Sequence, residues 1–163
     1  SDTLNLTSPT TTAVDREVMN ELSKICGVKP NDLASEIFTV GSPLMTLPAK
    51  DVITADCKEY LEHGVKFSVS QIEEISFASF QKQRETLIEE LEKYRAAHSY
   101  LFSTLLITDV NTQNSILIVR GSESFTRLID FPEDGPHAWC LDGIVSRKKQ
   151  LLPYLTGLLA RMA

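Results

Sequence analysis

Apolar residues at Val14, Val18, Leu22 and Ile25 recur every three to four positions, the spacing that lays one stripe along a helix. Threonines precede the stripe and Gly27 follows it, which predicts a helix from residue 12 or 13 to Cys26. Pro30 opens a second helix carrying Leu33, Ile37 and Phe38 to a stop near Gly41, and Pro48 opens a short third to about Ala55. The period then changes. Residues 58–61 and 65–75 alternate, which predicts two strands joined at His63 and Gly64. Val65, Phe67 and Val69 share one face before Ile72 and Ile75 shift phase, and the shift predicts a bulge or the end of pairing.

Residues 77–97 return to helical spacing, with Phe80, Leu87, Leu91 and Tyr94 along one side. Glu, Lys and Arg fill the other side, a charge run that reads as a solvated face. Residues 101–108 and 115–120 are β-rich apolar runs, and the polar stretch from Asp109 to Asn114 between them is a hairpin signal. A short helix from Gly121 to about Ile129, a loop over 131–136, a strand over 137–141 and a final helix complete the chain. The sum is a mixed α/β fold of about five strands with helices packed on both faces, in a single domain.

Residues 1–12 are rich in hydroxyl side chains around Pro9 and read as a linker rather than a packed element. A chain of 163 residues with 42% hydrophobic content can fill one core. No apolar run reaches the length of a membrane span and no segment suggests secretion, so no membrane partner and a cytoplasmic location are expected. Cys26, Cys57 and Cys140 are an odd set without paired spacing, which fits a reducing compartment and a role as small core hydrophobes. A metal site built from Cys57, His63, His137 and Cys140 would match no common zinc spacing. His98 ends a charged helical stretch, where an imidazole serves the negative end of the helix dipole.

Against a formal net charge of −6, one stretch reverses sign: Gly143-Ile-Val-Ser-Arg-Lys-Lys-Gln150. Ser146 is a good helix N-cap, so Arg147 and Lys148 would stand where free backbone N–H groups and the helix dipole favour an anion. Arginine adds a planar fork for phosphate oxygens and lysine a mobile point charge. Taken alone, the run reads as a solvated basic turn at the start of the last helix. Pro153 allows two geometries, a helix kinked there or a loop over 146–150 with the helix starting near Leu152; the loop is preferred because proline suits a first turn. The acidity elsewhere argues against a nucleic-acid partner and for a small anionic ligand.

The string from Gly143 to Pro153 resembles the signature near the C-terminus of family II inorganic pyrophosphatases, the manganese-dependent branch of the DHH phosphoesterases. The opening Ser1-Asp-Thr-Leu4 and Ser8-Pro-Thr-Thr-Thr12 are similar to the segment that links that family's two domains. Residues 56–60 and 64–71 resemble its strand pair, with Val69-Ser70-Gln71-Ile72 a mild departure from the usual wording.

The resemblance implies that residues 1–12 end a missing N-terminal DHH domain plus linker, and that 13–163 form the DHH-associated domain of the second type, which closes over it. It implies hydrolysis of pyrophosphate, with Mn²⁺ or Co²⁺ held mainly by the N-terminal domain and Mg²⁺ accompanying the substrate. Carried over by position, Arg147, Lys148 and Lys66 would clamp the substrate and Asp2 would be the last metal ligand. Lys66 on its own reads as a surface lysine. The chain carries no DHH triplet and no Asp-x-Asp, so as given it is expected to be inactive, to hold no metal and to be a monomer, within a full-length homodimer. Two alternatives stand beside this: an exopolyphosphatase of the same superfamily, which Lys149-Gln150 fits less well, and a non-catalytic anion-binding or interaction domain.

Overall fold

The computed structural model describes residue 3 and residues 5–162, leaving aside the side chains of Phe38 and Thr39. Four helices come first: α1 (Ala13–Cys26), α2 (Pro30–Val40), α3 (Pro43–Thr46) and α4 (Ala49–Ala55). Then follow β1 (Cys57–Glu62), β2 (Val65–Glu74), α5 (Ala78–Ala97), β3 (Phe102–Asp109), β4 (Asn114–Gly121), α6 (Glu123–Thr126) and β5 (Ala138–Asp142). A single π-helical turn, Arg147–Leu151, runs into α7 (Leu152–Met162).

The strands form one sheet in the order β1-β2-β3-β4-β5. Only β2 and β3 are parallel. Parallel neighbours need a crossover between them, and α5 supplies it. Strand alternation sends side chains to two separate cores. On one face Phe67, Val69, Phe102, Leu106, Leu117 and Trp139 pack under α6 and the α7 residues Leu155, Leu158 and Leu159. On the other, Ile72, Leu105, Ile107, Ile116 and Ile118 pack under Val52 and Ile53 of α4 and Phe80, Leu87 and Leu91 of α5.

This two-sided burial explains the phase shift in β2. Pairing with β3 runs unbroken from Phe67 opposite Phe102 to Glu74 opposite Asp109, with no bulge, while pairing with β1 ends at Ser70, where the phase shifts. Val69 and Ile72 serve opposite faces of a strand covered on both, which the alternation of a one-sided strand cannot express. At its end, buried Glu74 accepts hydrogen bonds from the Ser42 hydroxyl at 2.9 and 2.7 Å and from the Leu44 N–H at 3.3 Å, tying α3 to the sheet.

Helix α1 forms where its sequence predicts, with a reciprocal Thr12–Asp15 capping box and left-handed Gly27 at its end. Its stripe joins neither core: Val18 is 49% exposed and Ile25 79%. Thr3 and residues 5–10, within the stretch read as a linker, form turns. Thr7 and Ser8 both donate to the Thr3 carbonyl, Ser8 is buried, and Gln113 reaches the Thr7 hydroxyl at 2.9 Å. Among the described residues no helix is long and apolar enough to cross a membrane.

Candidate anion-binding site

After β5, Gly143 turns the chain with a φ of 69°, a conformation glycine adopts without strain. Among the described residues the segment 143–147 has no strand partner, so its backbone polar groups must be satisfied by other means. Asn114 of β4 accepts the Gly143 N–H at 3.0 Å, Ser115 donates to the Ile144 carbonyl at 2.6 Å, and two glutamines serve further groups of the segment. Gln150 accepts from the N–H groups of Val145 and Ser146 at 3.0 and 2.9 Å and donates to the Gly143 carbonyl at 2.8 Å. Gln71, from β2, donates to the Val145 carbonyl at 3.1 Å and accepts the Arg147 N–H at 3.3 Å.

Ser146 is the cap its sequence predicts, its hydroxyl accepting the Lys149 N–H at 3.2 Å. The α-helix starts at Leu152, as expected, but the residues before it form a helical turn rather than a loop, and the helix is not one element kinked at Pro153. The Ser146 carbonyl accepts from both Gln150 and Leu151, and the Arg147 carbonyl from Leu152, so one widened turn feeds α7 without a loop. Pro153 then sits in the first turn of α7, directly after the widened turn. Wide turns of this kind gather at functional sites. The expected free amides are largely taken, Arg147's by Gln71 and Lys149's by Ser146. The anion would therefore meet side chains more than backbone.

The Arg147 side chain, 14% exposed, lies across the β1–β2 edge. It donates to the Asp56 carbonyl at 2.6 Å, to the Asp56 carboxylate at 3.0 Å and to the Val69 carbonyl at 3.4 Å. Lys148 is exposed beside it. Both line a hollow of about 500 Å³ with Gln71, Ser146 and the carboxylates Asp15, Asp56 and Glu73. Hydrogen bonds from the Thr12 side chain and then its backbone hold the Asp15 carboxyl below its ordinary range. Lys149 instead reaches the Pro9 carbonyl at 3.1 Å.

Lys66 is not brought to this hollow. It pairs with Leu61 and lines a different recess with Arg95, Tyr100 and Ser122. The physical reason is parity: Phe67, Val69 and Gln71 point to the α7 face, so Lys66 points to the other one. It also stands five residues from Gln71, about 17 Å along the strand. The lysine that register does place on the right face is Lys58, opposite Val69 and two residues from Asp56. Its strand neighbour Tyr60 fixes that face by stacking on Phe67 at 5.3 Å. The signal was present in the alternation of Asp56, Lys58 and Tyr60.

Asp2 lies outside the described residues. Among those described, no group of three or more His, Cys, Asp and Glu side chains could hold a metal ion. Cys57 and His63 belong to the β1 edge, His137 and Cys140 to the β5 edge. Cys57 contacts the Tyr94 hydroxyl and His137 contacts Arg120. His98 caps α5, its Nδ1 on the Tyr94 carbonyl at 2.8 Å.

The sequence profile of the DHHA2 domain matches residues 35–158, more than half of the chain. The chain belongs to the DHHA2 domain family. The chain is 31% identical over 157 residues to a manganese-dependent inorganic pyrophosphatase of Methanocaldococcus jannaschii, covering 95% of the chain and 51% of that protein. It is 32% identical over 160 residues to a probable manganese-dependent inorganic pyrophosphatase of Clostridium acetobutylicum, covering 96% of the chain and 51% of the relative. A crystal structure of a candidate family II inorganic pyrophosphatase from Methanococcus jannaschii superposes with a TM-score of 0.82 at 30% identity, over 96% of this chain and 52% of that one. The chain thus spans about half the length of the relatives it matches.

Proposed function

We propose that this DHHA2 domain is the substrate-gripping half of a manganese-dependent inorganic pyrophosphatase of the cytoplasm, holding diphosphate between Arg147 and Lys148 with Lys58 beside them. The observation that carries the reading is the single hollow that Arg147 and Lys148 share, in a chain whose relatives bear that enzyme's name. A guanidinium fork and a mobile ammonium suit the oxygens of a small polyphosphate. The hollow also carries three carboxylates, Asp15, Asp56 and Glu73. These would repel a bare tetra-anion, which favours diphosphate complexed with Mg²⁺.

Hydrolysis would be completed by the part of the relatives that lies beyond the matched span. The described residues do not fit a two-metal centre, so Mn²⁺ or Co²⁺ would be held there, where such ions make a nucleophile from water. The gripping domain's own share is positioning and charge neutralisation, the main needs of phosphoryl transfer.

Calorimetry of magnesium diphosphate into the chain and its Arg147→Ala variant tests the reading. Saturable binding that the substitution abolishes is the expected result. Absent binding, or binding indifferent to Arg147, overturns it.

A further inference from the structure

We infer that Gln71 is the positioning residue of the basic turn, holding Arg147 at the hollow through both its backbone and the acceptor of its side chain. The inference rests on the anion-gripping reading above, but its first evidence is independent of any ligand. One side-chain amide makes two opposed bonds to alternate residues, donating to the Val145 carbonyl and accepting the Arg147 N–H. That is the pattern a neighbouring strand would offer, supplied here where no strand exists. A side-chain amide carries a donor and an acceptor side by side, as a backbone peptide group does.

The same residue's backbone N–H donates to the Asp56 carbonyl at 3.1 Å. That carbonyl also accepts the Arg147 guanidinium at 2.6 Å. Gln71 therefore fixes both ends of the arginine relative to β2, its main chain directly and its side chain through Asp56. Gln150 stabilises the turn from within its own segment, whereas Gln71 alone of the two ties it to the sheet that carries Lys58. A guanidinium fork loses its grip on phosphate when it moves by about 1 Å, so the tie sets the geometry of binding rather than the stability of the core.

The test uses Gln71→Met, which keeps size and loses both bonds, and Gln71→Ala as a second variant. Three quantities are read on the chain: thermal midpoint, amide hydrogen exchange at Arg147, and affinity for magnesium diphosphate. The expected result is a midpoint close to the parent's, exchange at Arg147 faster by about tenfold or more, and affinity weaker by about tenfold, as for partners that orient a binding group. Unchanged exchange at Arg147 in a folded variant overturns the positioning role. So does unchanged affinity. If the parent chain binds no diphosphate, the functional reading fails and exchange at Arg147 alone decides for or against the tie.

Discussion

Arg147 and Asp56, ninety-one positions apart, form a two-point contact, guanidinium to carbonyl at 2.6 Å and to carboxylate at 3.0 Å. Asp56 is the more exposed partner, at 53% against 14%. The carboxylate competes with any incoming anion for the same fork, while the carbonyl orients it whether or not the charge is present.

Asp56→Asn should therefore tighten binding of diphosphate. A half-exposed ion pair contributes at most about 1 kcal/mol, so the gain should stay within about fivefold. Calorimetry measures it, and weaker binding would mean that the carboxylate orients Arg147 instead of competing for ligand.

Substitutions at the three cations should separate them. In the pyrophosphatase proposed above, Arg147→Ala should lower kcat/KM for diphosphate by about 10- to 1,000-fold, the loss expected for a charge-assisted clamp. Lys58→Ala should lower it too, and Lys66→Ala should leave it unchanged because Lys66 faces the other side of the sheet. Steady-state kinetics decides, and an effect at Lys66 with none at Lys58 would reverse the assignment.

Stability should be distributed unevenly. Leu155, fully buried under the sheet, should cost about 2–5 kcal/mol on substitution by alanine. Leu22, 52% exposed on α1, should cost less than about 0.5 kcal/mol on substitution by glutamine. Gly121 stands opposite Phe102, and a Cβ there would lie 2.6 Å from the Phe102 Cβ, so Gly121→Ala should cost about 1–3 kcal/mol. Urea denaturation of the chain and its variants reads all three.

Acid should weaken the contact between α5 and β4. The Glu92 carboxyl lies below its ordinary value of 4.5, chiefly through the Arg95 hydrogen bond, with burial opposing and Arg120 adding to the lowering. A carboxyl depressed by folding binds fewer protons in the native state, so its stabilisation is complete above pH 4.5 and is lost as pH falls through the lowered value. Denaturation midpoints between pH 3 and 7 should fall less steeply in acid for Glu92→Gln than for the parent. Equal slopes would remove Glu92 from the acid response.

The sequence by itself determined the longer helices and the strands, the Ser146 cap and the family string around it, though not α3 or the wide turn at 147–151, because hydrophobic period and capping depend on a residue and its near neighbours. Only the tertiary structure decided what each face meets. Alternation places Lys58 with Tyr60 and Lys66 opposite Phe67, yet which face carries the basic turn follows from α7 packing over Phe67 and Val69. The tie from Gln71 to Arg147 spans 76 positions and the contact with Asp56 spans 91, beyond any local rule. The stripe of α1 is equally clear in the sequence, and it lies outside both cores. Periodicity makes a face apolar, and only packing gives that face a partner.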